Sequence, residues 1–254
     1  MHHKTETYII MKKIILLLTG ITLLVLTSCT YEDDINNLQN QINDLSENQN
    51  EIENQFSTSL DSISNLLDNS ADSDINAIKM SVAITLLENI TRQPESAETL
   101  IALTETIYTD YTELLPFTDN TIIVRGQAVA ELFQGISRQP EAFETFDTAA
   151  TQFVGPFDPE HMSDNAIING NARGIAMIDL FIGIARQPEA FESLKTAATK
   201  YLGDYDPAIF SDETIEAAKA QAFNGLLEAL IRQPEAEELF NEICIQFLDF
   251  SFLD

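Results

Sequence analysis

The stretch Arg92-Gln93-Pro94-Glu95 returns as Arg138-Gln139-Pro140-Glu141, Arg186-Gln187-Pro188-Glu189 and Arg232-Gln233-Pro234-Glu235. Its arginines stand 46, 48 and 46 residues apart. Aligning the four copies on them brings out further columns. Thirteen residues before each Arg stands a base: Lys79, Arg125, Arg173 and Lys219. Six before it stands Leu (Leu86, Leu132, Leu180, Leu226), and two before it Ile or Leu (Ile90, Ile136, Ile184, Leu230). Six after it stands Glu (Glu98, Glu144, Glu192, Glu238), and eight after it a bulky apolar residue (Leu100, Phe146, Leu194, Phe240). Agreement of this kind at a fixed period marks a repeated supersecondary unit.

Each unit reads as two helices. The first runs from a capping pair (Thr118-Asp119, Ser163-Asp164, Ser211-Asp212) to the motif Arg, since Ser, Thr and Asp satisfy the first free backbone N–H groups. The second opens at Pro94, Pro140, Pro188 or Pro234, where a missing N–H costs nothing. The motif Arg suits the negative end of one helix, and the following Glu suits the positive end of the next. The two are expected to face each other across the turn. That makes the motif a joint; its functional alternative is a repetitive polymer engaging all four copies. Gly155 and Gly203 fit left-handed helix ends. Gly126, Gly174, Gly135 and Gly183 within the first helices point to close helix contacts, because glycine there costs about 1 kcal/mol against alanine. The first helices are therefore expected inside and the second outside. The fold class is all-α: a coiled-coil-like stalk followed by four αα-hairpin repeats of 46–48 residues, as an α-solenoid or a helical-repeat bundle.

The chain has 254 residues, 13 Lys and Arg against 41 Asp and Glu, and a net charge of −28. Such a balance excludes a phosphate-binding surface for nucleic acid and electrostatic docking on anionic lipid. Cations and basic partners are the permitted ligands. Against this background the column Lys79, Arg125, Arg173, Lys219 is the candidate binding ladder. Pairing with recurring acids would make it structural; exposure would make it a basic strip for an acidic polymer or peptide.

Nothing in the chain reads as an enzyme. There is no HExxH, GxSxG or phosphate loop, and no cofactor is expected. His161 stands in a loop, and Cys244 lies among Phe240, Ile243, Phe247 and Leu248 as a small core residue. Asp158, Glu160, Asp164, Asp204, Asp206, Asp212 and Glu213 lack the spacing and turn glycine of a calcium loop and are read as caps, so no metal site is assigned.

Ahead of the repeats, apolar residues fall on a heptad: Ile35, Ile42, Gln49, Phe56, Ile63 at one position and Leu38, Leu45, Ile52, Ser59, Leu66 at the other. The pattern predicts a helical stalk with a seam for a parallel homo-oligomer through residues 35–67. The nine Asn between Asn36 and Asn69 favour a single helix or tether as the alternative.

The chain opens with Lys12-Lys13, a 13-residue apolar run from Ile14 to Leu26, then Leu26-Thr27-Ser28-Cys29. The run is too short to span a bilayer, and its order is that of an export signal. It resembles the lipobox of bacterial lipoproteins. The resemblance covers residues 1–29 and implies removal of 1–28 and lipidation of Cys29, which would anchor the chain through acyl chains. Met11 fits better as the start, with residues 1–10 upstream of it. The acidic Glu32-Asp33-Asp34 after the Cys resembles the surface-export tag of some Gram-negative lipoproteins; capping of the stalk helix accounts for it equally. The domains expected are thus 1–28 signal, 29–70 anchor and stalk, and 71–254 repeats. The function expected is non-enzymatic binding of an unidentified protein or peptide at the outer membrane, facing the cell surface. A structural spacer is the alternative, and an enzyme or calcium-dependent solute binder comes last.

Overall fold

The computed structural model describes residues 36–44, 46–64 and 75–253. The export signal, Cys29, Ile35, Leu45 and Leu66 lie outside the described residues. The chain divides into two compact units, Met1–Glu51 and Ile52–Asp254. All regular structure among the described residues is helical. In the first unit the described residues are helical, and Leu38 and Ile42 are 58% and 57% exposed.

The second unit begins with helical residues 52–64, α1. Here the seam expectation needs correcting. Phe56 and Leu60 are buried and Ile63 packs beside them, all within the core of their own unit. A spacing of four and then three puts them on one helix face, and that face is already covered. Phe56 and Ile63 therefore do not form part of a free seam.

Helices α2 (Ile75–Arg92), α4 (Asp119–Arg138), α6 (Ala166–Arg186) and α8 (Asp212–Arg232) follow, each ending on a motif Arg. Each leads through one turn of 3₁₀ helix starting at the motif Pro into a shorter helix: α3 (Ala97–Thr104), α5 (Phe143–Phe153), α7 (Phe191–Leu202) and α9 (Glu237–Leu248). The motif Gln makes the joint. Gln139 takes φ −139 and ψ 72. Its N–H donates to the Gly135 carbonyl at 2.9 Å, and its carbonyl accepts from Ala142 N at 3.0 Å. Gln93, Gln187 and Gln233 repeat this geometry. Two capping pairs act as expected: the Thr118 and Ser211 hydroxyls accept from Thr121 N and Thr214 N. The third does not. α6 starts two residues later, capped by the Asn165 side chain, while Ser163 donates to the Asp119 carboxylate.

The longer helices pack in chain order, α2 on α4, α4 on α6 and α6 on α8, with the most extensive contacts in the molecule. The shorter ones lie across them, α5 on α2, α7 on α4 and α9 on α6. The glycines show how close the long helices come. A Cβ on Gly126 would stand 2.5 Å from the Ala172 carbonyl oxygen, and one on Gly170 would overlap the Thr214 carbonyl. The long helices are parallel. Gly170 near the start of α6 meets Thr214 at the start of α8, and Gly183 near the end of α6 meets Ser137 at the end of α4. α6 is long and apolar enough to cross a membrane by composition, but 56% of that stretch is buried in the unit.

Two acids sit uneasily between these helices. Burial, then Glu88 and Asp179, pushes the Glu131 carboxyl up; burial does the same to Asp179, against Arg186, Gln134 and Arg138. A carboxyl raised on folding binds more protons folded than unfolded, so stability falls as pH rises from the unfolded value through the folded one. Glu131→Gln combined with Asp179→Asn should raise the Tm at pH 7, and the gain should shrink as pH falls and vanish below about pH 3, where carboxyls are protonated folded and unfolded alike. Calorimetry across that range checks this.

Candidate functional site

The two basic columns have separate fates. The motif arginines are exposed at the ends of the long helices. They do not reach across the turn to the motif glutamates. Arg92 pairs with Glu88 at 2.5 Å and Arg232 with Glu228, each one turn back on its own helix. Arg138 donates to Gln134 Oε1 at 3.0 Å, and Arg186 to Ser137 Oγ at 3.3 Å. The acid one turn back lies on a surface the helix itself fixes. Glu95, Glu141, Glu189 and Glu235 are exposed beyond the joint. Pairs this open contribute little, about 0.3–0.5 kcal/mol.

The ladder column is not an exposed strip. Arg125 and Arg173 are each only 5% exposed, and what they bind is main chain rather than acids. Arg173 donates from Nη1 to the Leu202 carbonyl at 2.6 Å, from Nη2 to Gly203 at 2.8 Å and from Nε to Phe247 at 2.9 Å. Arg125 repeats this on Val154, Gly155 and Tyr201 at 3.3, 2.8 and 3.1 Å. Each guanidinium thus holds the C-terminal carbonyls of its own hairpin's second helix together with one from the next hairpin. Free carbonyls at a helix end favour a cation. Gly155 and Gly203, at φ 75 and 70, turn the chain so that these carbonyls converge. Phe153, Tyr201 and Phe247 occupy one repeat column; the first of these carbonyls accepts from Tyr108 Oη at 3.0 Å. Burial pushes Arg125 down to about 10 and Arg173 to about 9, so both stay charged at neutral pH.

Lysine stands at both outer positions of the column. Lys79 lies 3.9 Å from Glu113, and Lys219 pairs with Glu216 at 2.9 Å and lies 5.8 Å from the Phe250 ring centre. Lys79 and Lys219 each meet a single carboxylate, whereas carbonyls converging from two helices suit the planar guanidinium fork. Beside Arg125 and Arg173 lies a hollow of about 120 Å³, lined by Phe157 stacked on Phe210 and by Asn169, whose Oδ1 is buried without a partner. It is well below the several hundred Å³ of usual ligand pockets.

His161 and the loop acids beside it serve local turns. His161 Nδ1 lies 2.8 Å from Asp158 Oδ2, and Asp158 and Asp206 cap turns through Glu160 N and Ala208 N. Among the described residues no three His, Cys, Asp or Glu side chains cluster to hold a metal. Cys244 is buried, which pushes its thiol up to about 12 and keeps it protonated.

The surface that stands out was not singled out in the sequence. On α8, Phe223, Leu227 and Ile231 are 54%, 43% and 82% exposed, one turn apart on one face. They stand nine, five and one residues before Arg232. The same columns in the upstream helices, Val129, Phe133, Ser137 on α4 and Met177, Phe181, Ala185 on α6, are buried. Beside this stripe opens a second hollow of about 160 Å³, walled by Phe181, Ala222, Phe223, Leu226, Leu248 and Phe250, with Lys219 at its edge.

No known family, curated protein or solved structure matches the chain.

The α8 stripe therefore has to be read from its own chemistry. An exposed apolar strip beside an apolar hollow is the kind of surface that protein, membrane or ligand contacts cover. One clue lies in the alignment. The column just before the motif Arg reads Thr91, Ser137, Ala185 and then Ile231, a change from small to large in the last copy.

Proposed function

We propose that this chain is a lipid-anchored envelope protein that presents a solenoid of four helical hairpins for non-enzymatic protein or peptide binding. The observation that carries the reading is the apolar face of α8, Phe223, Leu227 and Ile231, beside its hollow. Upstream, the same face of each long helix meets the next long helix; at α8 it meets solvent. Leu26-Thr27-Ser28-Cys29 supports the anchor, and Glu32-Asp33-Asp34 supports display at the surface of a Gram-negative outer membrane. Palmitate labelling should disappear in Cys29→Ser, and continued labelling would sink the anchor.

The binding reading is tested in the producing cell with a photo-crosslinking residue at Leu227. A discrete adduct is expected there and is expected to vanish when Ile231 is also changed to Glu. Adducts of equal strength from a crosslinker at exposed Glu237 would sink it. Both α8 positions are exposed, so the variants should fold as the parent does.

A second reading, self-association through the stalk, rests on exposed Leu38 and Ile42. It predicts a sedimentation coefficient that falls on changing both to Asn.

A further inference from the structure

We propose that the open face of α8 takes a cationic amphipathic helix whose contact stripe is alanine and glycine, lying parallel to α8. This rests on the docking reading above and deepens it by naming the partner's chemistry. The first argument is continuity with an interface already in the molecule. The face in question is the one each upstream long helix turns to its follower. On α4 it meets α6 at Ala172, and on α6 it meets α8 at Thr214 and Ala218. At those points the backbones nearly touch, because one side supplies Gly126 or Gly170 and the other a small residue or main chain. On α8 the column of Gly126 and Gly174 holds exposed Ala220, still small enough for a close approach. Toward the C-terminal end of α8, Leu227 and Ile231 stand where α4 and α6 carry residues covered by a neighbour. A helix with small residues on its contact stripe fits against these large side chains, as Gly225 of α8 fits against Ile178 of α6. The hollow beside Phe223 receives one larger apolar side chain.

The second argument is charge. Exposed acids flank the face (Asp212, Glu228) and stand on its N-terminal end (Glu213, and Glu216 in the column of Gly170), so the close approach is confined to the part from Ala220 onward. The two bases of the face, Lys219 and Arg232, are each held by one of these acids, Glu216 and Glu228. The whole chain carries −28. A second copy would bring the same charge to the contact, whereas a helix flanked by Lys or Arg meets complementary potential.

The test uses the full chain and a synthetic helix of about 20 residues, with Ala along one face, one Leu as anchor and Lys on both flanks. Its binding is followed by fluorescence anisotropy. It should bind at least about tenfold more tightly than a scrambled peptide of the same composition. The advantage should vanish in Leu227→Glu with Ile231→Glu, and binding should weaken between about 50 and 300 mM salt. Equal binding of a Glu-flanked version overturns the cationic partner and leaves helix docking standing. A dimer that the double variant dissolves, with no peptide binding, overturns it in favour of a second copy. Scrambled and helical peptides binding alike to both proteins would overturn this proposal and the docking reading together.

Discussion

Arg173→Met should destabilise the second unit by about 3–5 kcal/mol, while Arg232→Gln should change it by about 0.5 kcal/mol or less. The two residues are both arginines on long helices and differ only in what surrounds them. Arg232 is exposed and pairs with Glu228 on its own helix, and water replaces that partner readily. Arg173 is buried and holds Leu202, Gly203 and Phe247 at once. Methionine fills the stem but leaves three carbonyl acceptors at two helix ends without donors, at about 1–3 kcal/mol for each that water does not reach. Its guanidinium carbon also lies 4.4 Å from the Phe210 ring centre, so the loop above loses a contact. Arg173→Lys should recover less than half of the loss, because a compact ammonium lacks the three separated nitrogens that reach the α7 and α9 carbonyls. Urea unfolding followed by circular dichroism measures all three. A loss below about 1 kcal/mol for Arg173→Met would show that the clamp between hairpins contributes little.

The contrast between these arginines also marks what could be read from the sequence. The helix pairs, the turn opened by the motif Pro and the positive-φ residues Gly155 and Gly203 were legible, because each follows from local backbone chemistry repeated at a fixed spacing, whereas the part the motif Gln plays in the joint was not. The second basic column was visible, but its partners were not. Acids can be counted in a sequence, whereas a carbonyl oxygen belongs to every residue, and only the fold shows which helix ends are left open. The order Lys, Arg, Arg, Lys held the hint, since only the inner positions clamp a hairpin on from their own. Ser163-Asp164 matched the cap pattern, yet α6 starts after Asn165, which offers its own side-chain oxygen closer to the first apolar residues. Phe56 and Ile63 kept heptad spacing, but an apolar face on a helix does not say whether a copy or its own domain will cover it. The α8 stripe was hidden for the opposite reason. Alignment treats a column buried in three copies as core in the fourth, although the last long helix has no follower among the described residues.

Gly170→Ala should cost about 2–3 kcal/mol, although alanine is the better helix former by about 1 kcal/mol. Gly183→Ala, on the same helix, should be neutral or stabilising by up to about 1 kcal/mol. Both glycines have ordinary helical backbone, so conformational freedom does not separate them; their neighbours do. At Gly183 an added methyl would stand 3.3 Å from Ser137 Cβ and 3.5 Å from a Leu194 methyl, side-chain atoms that can shift by a few tenths of an ångström. At Gly170 it would overlap the Thr214 carbonyl and stand 2.6 Å from Ala217 Cβ, and a carbonyl in the first turn of α8 moves only if the whole helix does. Gly126 is like Gly170, with the Ala172 carbonyl oxygen at 2.5 Å and its Cα at 2.9 Å. A pair of denaturation curves for Gly170→Ala and Gly183→Ala therefore reads out the α6–α8 spacing directly. If both variants are stabilised alike, the two helices do not approach as closely as the backbone contact requires. The docking face would then lose its template, since the same close, parallel approach is what the α8 surface is expected to offer a partner.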